Sequence, residues 1–559
     1  MFLLCYTRME IKGLYDTRLA KSVHFAISEN GEKYLALNNN SGVLYGKATE
    51  NEDGSLNAKC LDKPVIVKNG EAGYRVLCLR LDENGNPDNE MAGKAAEYTT
   101  KDFISFSEMK PIEMSEYEHA ANVARYNVRF AAVAHIEGAI LSNVIEIPEN
   151  VYDRLLKKLG GRISISTKVE NDVKVKNQGD IDKIKCTVTY SDGTTDIKKV
   201  NWDSTAVDYK KPGSYTINGK IAREHFEFPL AVNRADPCVG RWNGKYYFIA
   251  TNDADGNHSL YIRESDTLAG LVQAEEVLLL DSTAYKHCGN LLWAPEFHEI
   301  NGRLYIFHAC TPDPFFEEES HVMVLKDGGN PMKREDWSEP KRVVKADGSN
   351  ICEAGKVITL DMTCFEWQKE FYAVWSQRQF KPKDLGAWLM IAKLNASEPW
   401  KLASEPVVLS KPELGWANNH TFVDEGPFAL IRGDKLYLTF SSAAVDESYV
   451  VGLLQTVRGM DILKPESWTK TGYPILSARS VTGEYGTGHN AYVTDDDGVI
   501  WNTYHARPGE KAPRSTGFRR VHFDIDGEPV LDLTEDKDLT AGLENVSATV
   551  IVEAEKEEN

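Results

Sequence analysis

The sequence predicts an all-β protein: a five-bladed β-propeller preceded by a small β-sandwich and an N-terminal β-rich domain. Three observations carry that expectation. A segment recurs five times in the second half of the chain, reading ADPCVGRWNGKYY, APEFHEINGRLY, LDMTCFEWQKEFY, EGPFALIRGDKLY and GHNAYVTDDDGVIW. Set on one aromatic position, these place Tyr247, Tyr305, Tyr372, Tyr437 and Trp501 in register, 58, 67, 65 and 64 residues apart. Each segment is a short apolar run, a polar turn and a second run of aromatic and branched residues, the pattern of an antiparallel hairpin. All-β repeats of that length arrange as blades about an axis. Upstream, alternating strands joined by Asp-Gly and Pro-Gly turns span some 80 residues, the length and rhythm of a small sandwich.

Four stretches follow in order. Residues 1–148 are strand-rich and punctuated by turns, with Asn-Gly between two strand-like runs in HFAISENGEKYLALNNNSGVLYGKA. Within them, EYTTKDFISFSEMKPIEM echoes YIRESDTLAGLVQAEEVLLL of the first repeat, which suggests propeller-like material there as well. Residues 149–232 hold CTVTYSDGTTDIKKVNWD and KPGSYTINGKI, the sandwich. Residues 233–535 hold the five repeats, and 536–559 read as a strand followed by a frayed acidic tail.

Bulk composition excludes some partners. The 559 residues carry 64 Lys and Arg against 84 Asp and Glu, a net charge of −20, and no basic cluster, so no nucleic-acid partner is expected. No apolar run reaches the roughly 18 residues of a membrane span, and no membrane partner is expected. The opening MFLLCYTRMEIK is too short for a signal core, so the chain reads as cytoplasmic as it stands, or secreted if a leader has been removed. Nine cysteines, Cys238, Cys310 and Cys364 among them, lack metal-type spacing and read as small buried hydrophobes with reduced thiols. Composition does not set the oligomeric state.

Each repeat opens on an acid or an imidazole: Asp236, Glu296, Asp361, Glu425 and His489. In a propeller the starts of the innermost strands meet at one central cavity, so these scattered side chains converge. Cleaving a glycosidic bond requires a carboxylic acid to protonate the leaving oxygen and a carboxylate on the opposite face to act on water or sugar. Asp236, Asp361 and Glu425 supply such groups, and a third carboxylate beside the acid raises its pKa towards working pH. Asp-Pro at 236 and Glu-Gly-Pro at 425 are also ordinary turn sequences, whereas Asp361 lies inside the apolar phrase VITLDMTCFEW, where a lone carboxylate is costly. The residues alone do not say which acid plays which part. Trp293 and Glu296 in LWAPE suit an aromatic face and a hydroxyl acceptor for a sugar, and Trp416, in a loop nine residues before Glu425, suits a pocket rim.

The phrases RADPCVGRWNGKYYFIATN, LLWAPEFHEINGRLYIFHA, VITLDMTCFEWQKEFYAVWS, DEGPFALIRGDKLYLTFS and YGTGHNAYVTDDDGVIWNTYHA resemble the five blades of glycoside hydrolase family 43, over about 300 of the 559 residues and in the same order. The sandwich words TYSDGT, VNWD and GSYTINGKI resemble bacterial Ig-like modules. The family resemblance implies an inverting hydrolase that removes terminal sugars from arabinose- or xylose-containing chains. It implies Asp236 as the general base, Glu425 as the general acid and Asp361 as the carboxylate that raises and orients the acid. It also implies that His489 lies at the cavity floor, that a structural cation such as calcium can bind near it, and that no cofactor is required. It implies, further, that Arg519 of GFRRVHFD reaches substrate from the last blade, although Arg520 next door could equally face inward, because alternate strand residues point opposite ways. The motif set looks most like α-L-arabinofuranosidase branches acting on oligosaccharide or polysaccharide. β-Xylosidase and β-galactofuranosidase activities share the same ring of acids. The rival from another class is a non-catalytic carbohydrate-binding propeller, which has no need of three clustered carboxylates.

Overall fold

Five four-stranded antiparallel sheets follow one another along the second half of the chain. The computed structural model describes residues 1–124, 133, 135–223, 225–312 and 315–553. The inner strands of the blades are Arg234–Trp242, Asn290–Ile300, Val357–Trp367, Asp424–Arg432 and Tyr485–Thr494. Each packs against the next, and the fifth returns to pack on the first, so the ring closes. Strand pairing also closes the ring: Ala231–Val232, which precede blade 1, pair with Ser515–Arg520 as the outermost strand of blade 5.

Local chemistry explains the hairpins. In blades 1 and 2 the turn between the first two strands is Asn243-Gly244 and Asn301-Gly302, with φ positive at both residues, 49° and 78° in the first and 50° and 74° in the second. A two-residue turn matching the strand twist requires this, and Asn-Gly adopts it at least cost. Blade 3 makes the same turn with Gln368 and Lys369, at φ 54° and 69°.

The repeated aromatics sit on the second strands and fill the wedges between blades. Tyr247 and Ile249 of blade 1 pack with Leu304 and Ile306 of blade 2, and Tyr305 and Phe307 of blade 2 with Ala373 and Trp375 of blade 3. Trp501 and Phe518 of blade 5 close against Val239 and Phe248 of blade 1.

One compact unit comprises Met1–Tyr152 with Phe226–Phe518. Its N-terminal part contains a sheet of Phe2–Arg8, His24–Ser28, Leu35–Ala36 and Ala139–Glu146, and a second sheet of Lys59–Lys68, Tyr74–Asp82, Lys94–Thr100 and Lys110–Glu113. The second has the sequential meander of a blade, and the echo noted in the sequence falls on its third strand. Side chains from this part hold the fourth blade's flank: Lys411 Nζ lies 2.7 Å from Glu50, and His420 lies 2.6 Å from both Asp16 and Asp446.

The other unit comprises Asp153–His225 with Arg519–Asn559 and is a sandwich. The strand read as a C-terminal appendage, Asn545–Val552, lies inside its larger sheet, antiparallel to Gly213–Ile221 and parallel to Val173–Lys174. Ala548, Val550 and Val552 face its core. At its heart the Asp538 carboxylate accepts from Tyr190 Oη and from Lys198 Nζ, each at 2.5 Å, with Lys198 buried. Removing one partner of such a pair strands the other charge. Asp538→Ala should therefore cost about 3–5 kcal/mol of sandwich stability, read as a lowered midpoint in denaturant unfolding, with Lys198→Met/Asp538→Leu recovering much of the loss.

Candidate active site

All five inner strands carry a register break at the same place, between Ala235 and Cys238, Trp293 and Glu296, Leu360 and Thr363, Glu425 and Phe428, and Gly488 and Ala491. At each break one residue has left-handed backbone: Asp236 at φ 48°, Ala294 at 44°, Asp361 at 54°, Gly426 at 55° and His489 at 46°. Such bulges bend a strand and re-aim the side chains on either side. Here they tip Asp236, Asp361 and Glu425 into one cavity of about 300 Å³, which Trp293, Leu360, Arg378, Tyr449, His489 and Arg514 also line.

The bulge shows which residues correspond between blades. Glu296, read as the lead residue of blade 2, lies two positions past its bulge and does not line the cavity. It is buried, and its Oε2 lies 2.7 Å from His298 Nε2. Burial alone would depress His298, but the neighbouring Cys364 and Glu296 outweigh it and raise the imidazole to about 10. The true counterpart of Glu425 in blade 2 is Trp293, the residue just before the bulge. Trp293 does line the cavity, donating from Nε1 to Asn257 Oδ1 at 3.0 Å and meeting Phe315 edge-on at 5.8 Å.

Two further expectations are corrected. Trp416 is fully buried: its ring packs 6.1 Å from Phe440 and its Nε1 donates to the Gly472 carbonyl at 3.1 Å, so it is core of blade 4, not rim. Arg519 directs Nη1 at the Leu531 carbonyl, 3.4 Å away, and Arg520 pairs with Asp196; neither lines the cavity. The arginine that does is Arg514, just before that strand begins, where the chain passes the cavity mouth.

Asp236 is surrounded by positive and imidazole groups. Arg514 Nη1 lies 3.2 Å from its Oδ1, His505 Nδ1 3.1 Å and His489 Nδ1 3.4 Å. Arg514 is itself clamped by Asp253 through Nε at 2.9 Å and Nη2 at 2.8 Å. Burial alone would raise Asp236; Arg514, His489 and His505 outweigh it and hold the carboxyl well below the usual range, hence ionised.

Asp361 goes the other way. Burial, with Glu425 and Asp236 as like-charged neighbours, lifts its carboxyl to about 7 against the pull of His489. Its Oδ2 accepts from the Gly426 N–H at 3.1 Å, so it fixes the peptide that follows Glu425. Behind it the buried Glu318 carboxyl is pushed well above its ordinary range by burial and by Asp361.

Glu425 is half-buried and raised, chiefly by burial, while Tyr449 Oη donates to its Oε1 at 2.7 Å. Tyr449 in turn stacks on His505, ring centres 5.7 Å apart, so the surroundings of Glu425 and Asp236 are joined through two packed rings. Glycines make room: a Cβ on Gly488 would sit 2.3 Å from the Tyr449 ring, and one on Gly426 would meet His489 Nδ1 at 3.0 Å at a backbone angle that already favours glycine. The residue before Glu425, Asp424, points to the opposite side of the strand, where Ser410 and Ser442 hydroxyls and Lys470 hold it at 2.7, 2.7 and 3.0 Å. Two adjacent acids thus differ: Asp424 is held in a structural network and Glu425 faces the cavity.

Residues 229–529 match the model of glycosyl hydrolases family 43. The chain belongs to that family. Residues 184–224 match the bacterial Ig-like domain, group 4, within the sandwich. An extracellular exo-alpha-(1->5)-L-arabinofuranosidase of Streptomyces avermitilis is 32% identical over 319 residues, covering 54% of this chain and 62% of that protein. Its counterpart in Streptomyces chartreusis is 31% identical over 286 residues, covering 50% of this chain and 82% of that protein. The crystal structure of an alpha-L-arabinofuranosidase from Lactobacillus brevis is similar at 30% identity and a TM-score of 0.48, over 54% of this chain and 94% of that one. The chain spans about three fifths of the length of the first two curated relatives it matches.

Within this family 43 site, sequence reasoning missed Arg514, Tyr449, His505 and Arg378. Two signals were present. The bulge residue stands eleven positions before the repeated aromatic in blades 1 to 4, and a proline follows it in ADP, WAP and EGP, so alignment on that proline would have put Trp293 beside Glu425. Tyr449, Arg378 and Arg514 lie outside the repeated phrase and had no such marker.

The opposed shifts predict the pH dependence. Arg514→Met removes a positive neighbour from Asp236, so its pKa rises and the acid limb of kcat/KM should move up by about 1–3 pH units. Glu425→Gln removes a like-charged neighbour from Asp361, so the Asp361 carboxyl should titrate below its value of about 7. A pH profile of the first variant and an NMR titration of Asp361 in the second check the two signs.

Proposed function

We propose that this chain is an inverting, exo-acting glycoside hydrolase, an α-L-arabinofuranosidase that releases terminal arabinose from arabino-oligosaccharides or polysaccharides. The observation that carries the proposal is the pair of opposed carboxylates in one cavity, Asp236 held below the ordinary carboxylate range and Glu425 raised above it, with Asp361 beside both. The curated relatives named as arabinofuranosidases support the sugar, and a cavity near the lower end of the ~300–1,000 Å³ range of small-molecule sites supports a single terminal ring.

In this reading Asp236 takes a proton from a water on one face of the anomeric carbon while Glu425 protonates the departing oxygen on the other, through an oxocarbenium-like state. Tyr449 orients Glu425 by its hydrogen bond to Oε1, and Asp361 holds the neighbouring peptide. Arg514 and His489 keep Asp236 a carboxylate. Trp293 offers an aromatic face to the sugar, and Arg378, which pairs with Asp384 at 2.7 Å, offers donors to hydroxyls.

The proton transfers are proposed to need no cofactor. A structural cation beneath the ring is part of the proposal: His489 Nε2 and Glu296 Oε1 are both buried without hydrogen-bond partners and are the atoms that would hold it, through water. When bound, it would supply positive charge that helps keep Asp236 ionised.

A panel of p-nitrophenyl furanosides and pyranosides tests the activity. Turnover is expected on the α-L-arabinofuranoside, and release confined to a xyloside or galactofuranoside, or no release from any of these or from arabino-oligosaccharides, would refute the assignment. Asp236→Asn should lower kcat by at least about 10²–10⁴-fold on every substrate. Glu425→Gln should do so on natural glycosides while sparing activated aryl leaving groups, which need no protonation. The first-formed anomer, read by NMR, should be inverted.

A further inference from the structure

Behind the wall that carries Trp293, Cys288 and Cys310 form a disulfide, which corrects their reading as free buried thiols. Cys288 ends the short turn Lys286–Cys288 that leads into the inner strand of blade 2, and Cys310 lies near the end of the adjacent strand Arg303–Thr311. Around the two sulfurs the side chains are of one chemical kind. Cys288 Sγ, Cys310 Sγ and a ring nitrogen of His308 lie within 4.8 Å of one another, all in buried residues. His308 directs Nδ1 towards the Ala309 carbonyl at 3.3 Å, and its Nε2 is buried with no hydrogen-bond partner among the described residues. A second imidazole, His321, has Nδ1 2.8 Å from the Glu319 carbonyl and 3.4 Å from Cys310 Sγ, and its Nε2 is likewise buried without a partner.

A buried nitrogen left unpaired is costly, so two of them beside two sulfurs call for an explanation. The sugar chemistry supplies none, because none of these four residues lines the catalytic cavity. Two sulfurs and an imidazole are the donor set of a tetrahedral zinc site, with the fourth position left for water.

We propose that Cys288, Cys310 and His308 form a binding site for a thiophilic divalent cation, zinc, when the disulfide is reduced, so that disulfide and metal are alternative states of the same two sulfurs. Reduction by an external phosphine breaks the S–S bond, takes two protons and one oxygen from water, and leaves two thiols and the phosphine oxide. Zinc then displaces both thiol protons and forms two Zn–S bonds. Two thiolates cancel the dication and His308 adds no charge, so the filled site is neutral, as burial demands. In the thiolate state His321 Nδ1–H becomes a donor to Cys310, the outer support that metal-bound sulfurs take. Either state ties the turn before Trp293 to the strand that leads towards Phe315, and so braces one wall of the cavity.

The full chain, reduced with a phosphine, exposed to Zn²⁺ and desalted, should retain one zinc per chain by mass spectrometric metal analysis, and the oxidised chain none. Cys288→Ser and His308→Ala should each weaken zinc binding at least ten-fold, while Cys352→Ser, at a half-buried cysteine elsewhere, should not. Cobalt loaded into the reduced wild-type chain should show thiolate-to-metal charge transfer and tetrahedral ligand-field bands, a readout that depends on no variant. Zinc retained equally by the oxidised chain or by Cys288→Ser, no zinc on the reduced chain, or cobalt spectra without a thiolate band would each overturn the proposal.

Discussion

The site depends on a backbone constraint repeated five times, the left-handed bulge at the head of each inner strand. Four of the five bulge residues carry side chains, Asp236, Ala294, Asp361 and His489, in a region that costs non-glycine residues roughly 1–3 kcal/mol each. Such strain persists only where the surroundings over-determine it. Here each bulge is followed by regular ladder pairs with the second strand of its own blade and packed against the inner strands on either side. Closure of the ring by Ala231–Val232 makes that packing complete, because no blade is left with an open flank. The bulge converts a strand, whose side chains would alternate towards the two neighbouring blades, into one that aims a side chain along the axis.

Electrostatics then divides the labour among side chains brought so close together. Asp236 has an arginine and two imidazoles within 3.4 Å and stays ionised, whereas Asp361 and Glu425 share a less charged, desolvated flank and are raised. The two raised groups titrate as a pair, so a proton on either is felt by the other. The link is partly backbone, since Asp361 holds the Gly426 N–H, and partly aromatic, since Tyr449 bridges from Glu425 to His505. A binding pocket for neutral sugar would gain nothing from holding one carboxylate below its ordinary range and another above it; acid–base chemistry requires it.

Blade 2 departs from its fellows. Its bulge residue is alanine, its pre-bulge residue is the cavity tryptophan, and its carboxylate is displaced two positions inward, where it holds His298 instead of substrate. The same blade carries the Cys288–Cys310 bond and the paired imidazoles. This blade thus contributes an aromatic wall and its bracing, while blades 1, 3 and 4 contribute the acids.

By itself the sequence determined the class of fold and the ring of acids, because hairpin periodicity, Asn-Gly turns and the repeated aromatic are local signals that each blade writes anew. It also placed the three carboxylates and His489 at one depth, since the interval from bulge to aromatic scarcely varies. Only the tertiary structure decided that Glu296 and Trp416 are buried away from the cavity and that Arg514, not Arg519, faces Asp236, because a one- or two-residue shift at a bulge reverses which side of a strand meets the axis. It alone decided that Cys288 and Cys310 are bonded, and that Asn545–Val552 completes a sandwich begun at residue 153. Those partners are distant in sequence or lie outside the repeated phrase, and only the packing of blades and sheets brings them together.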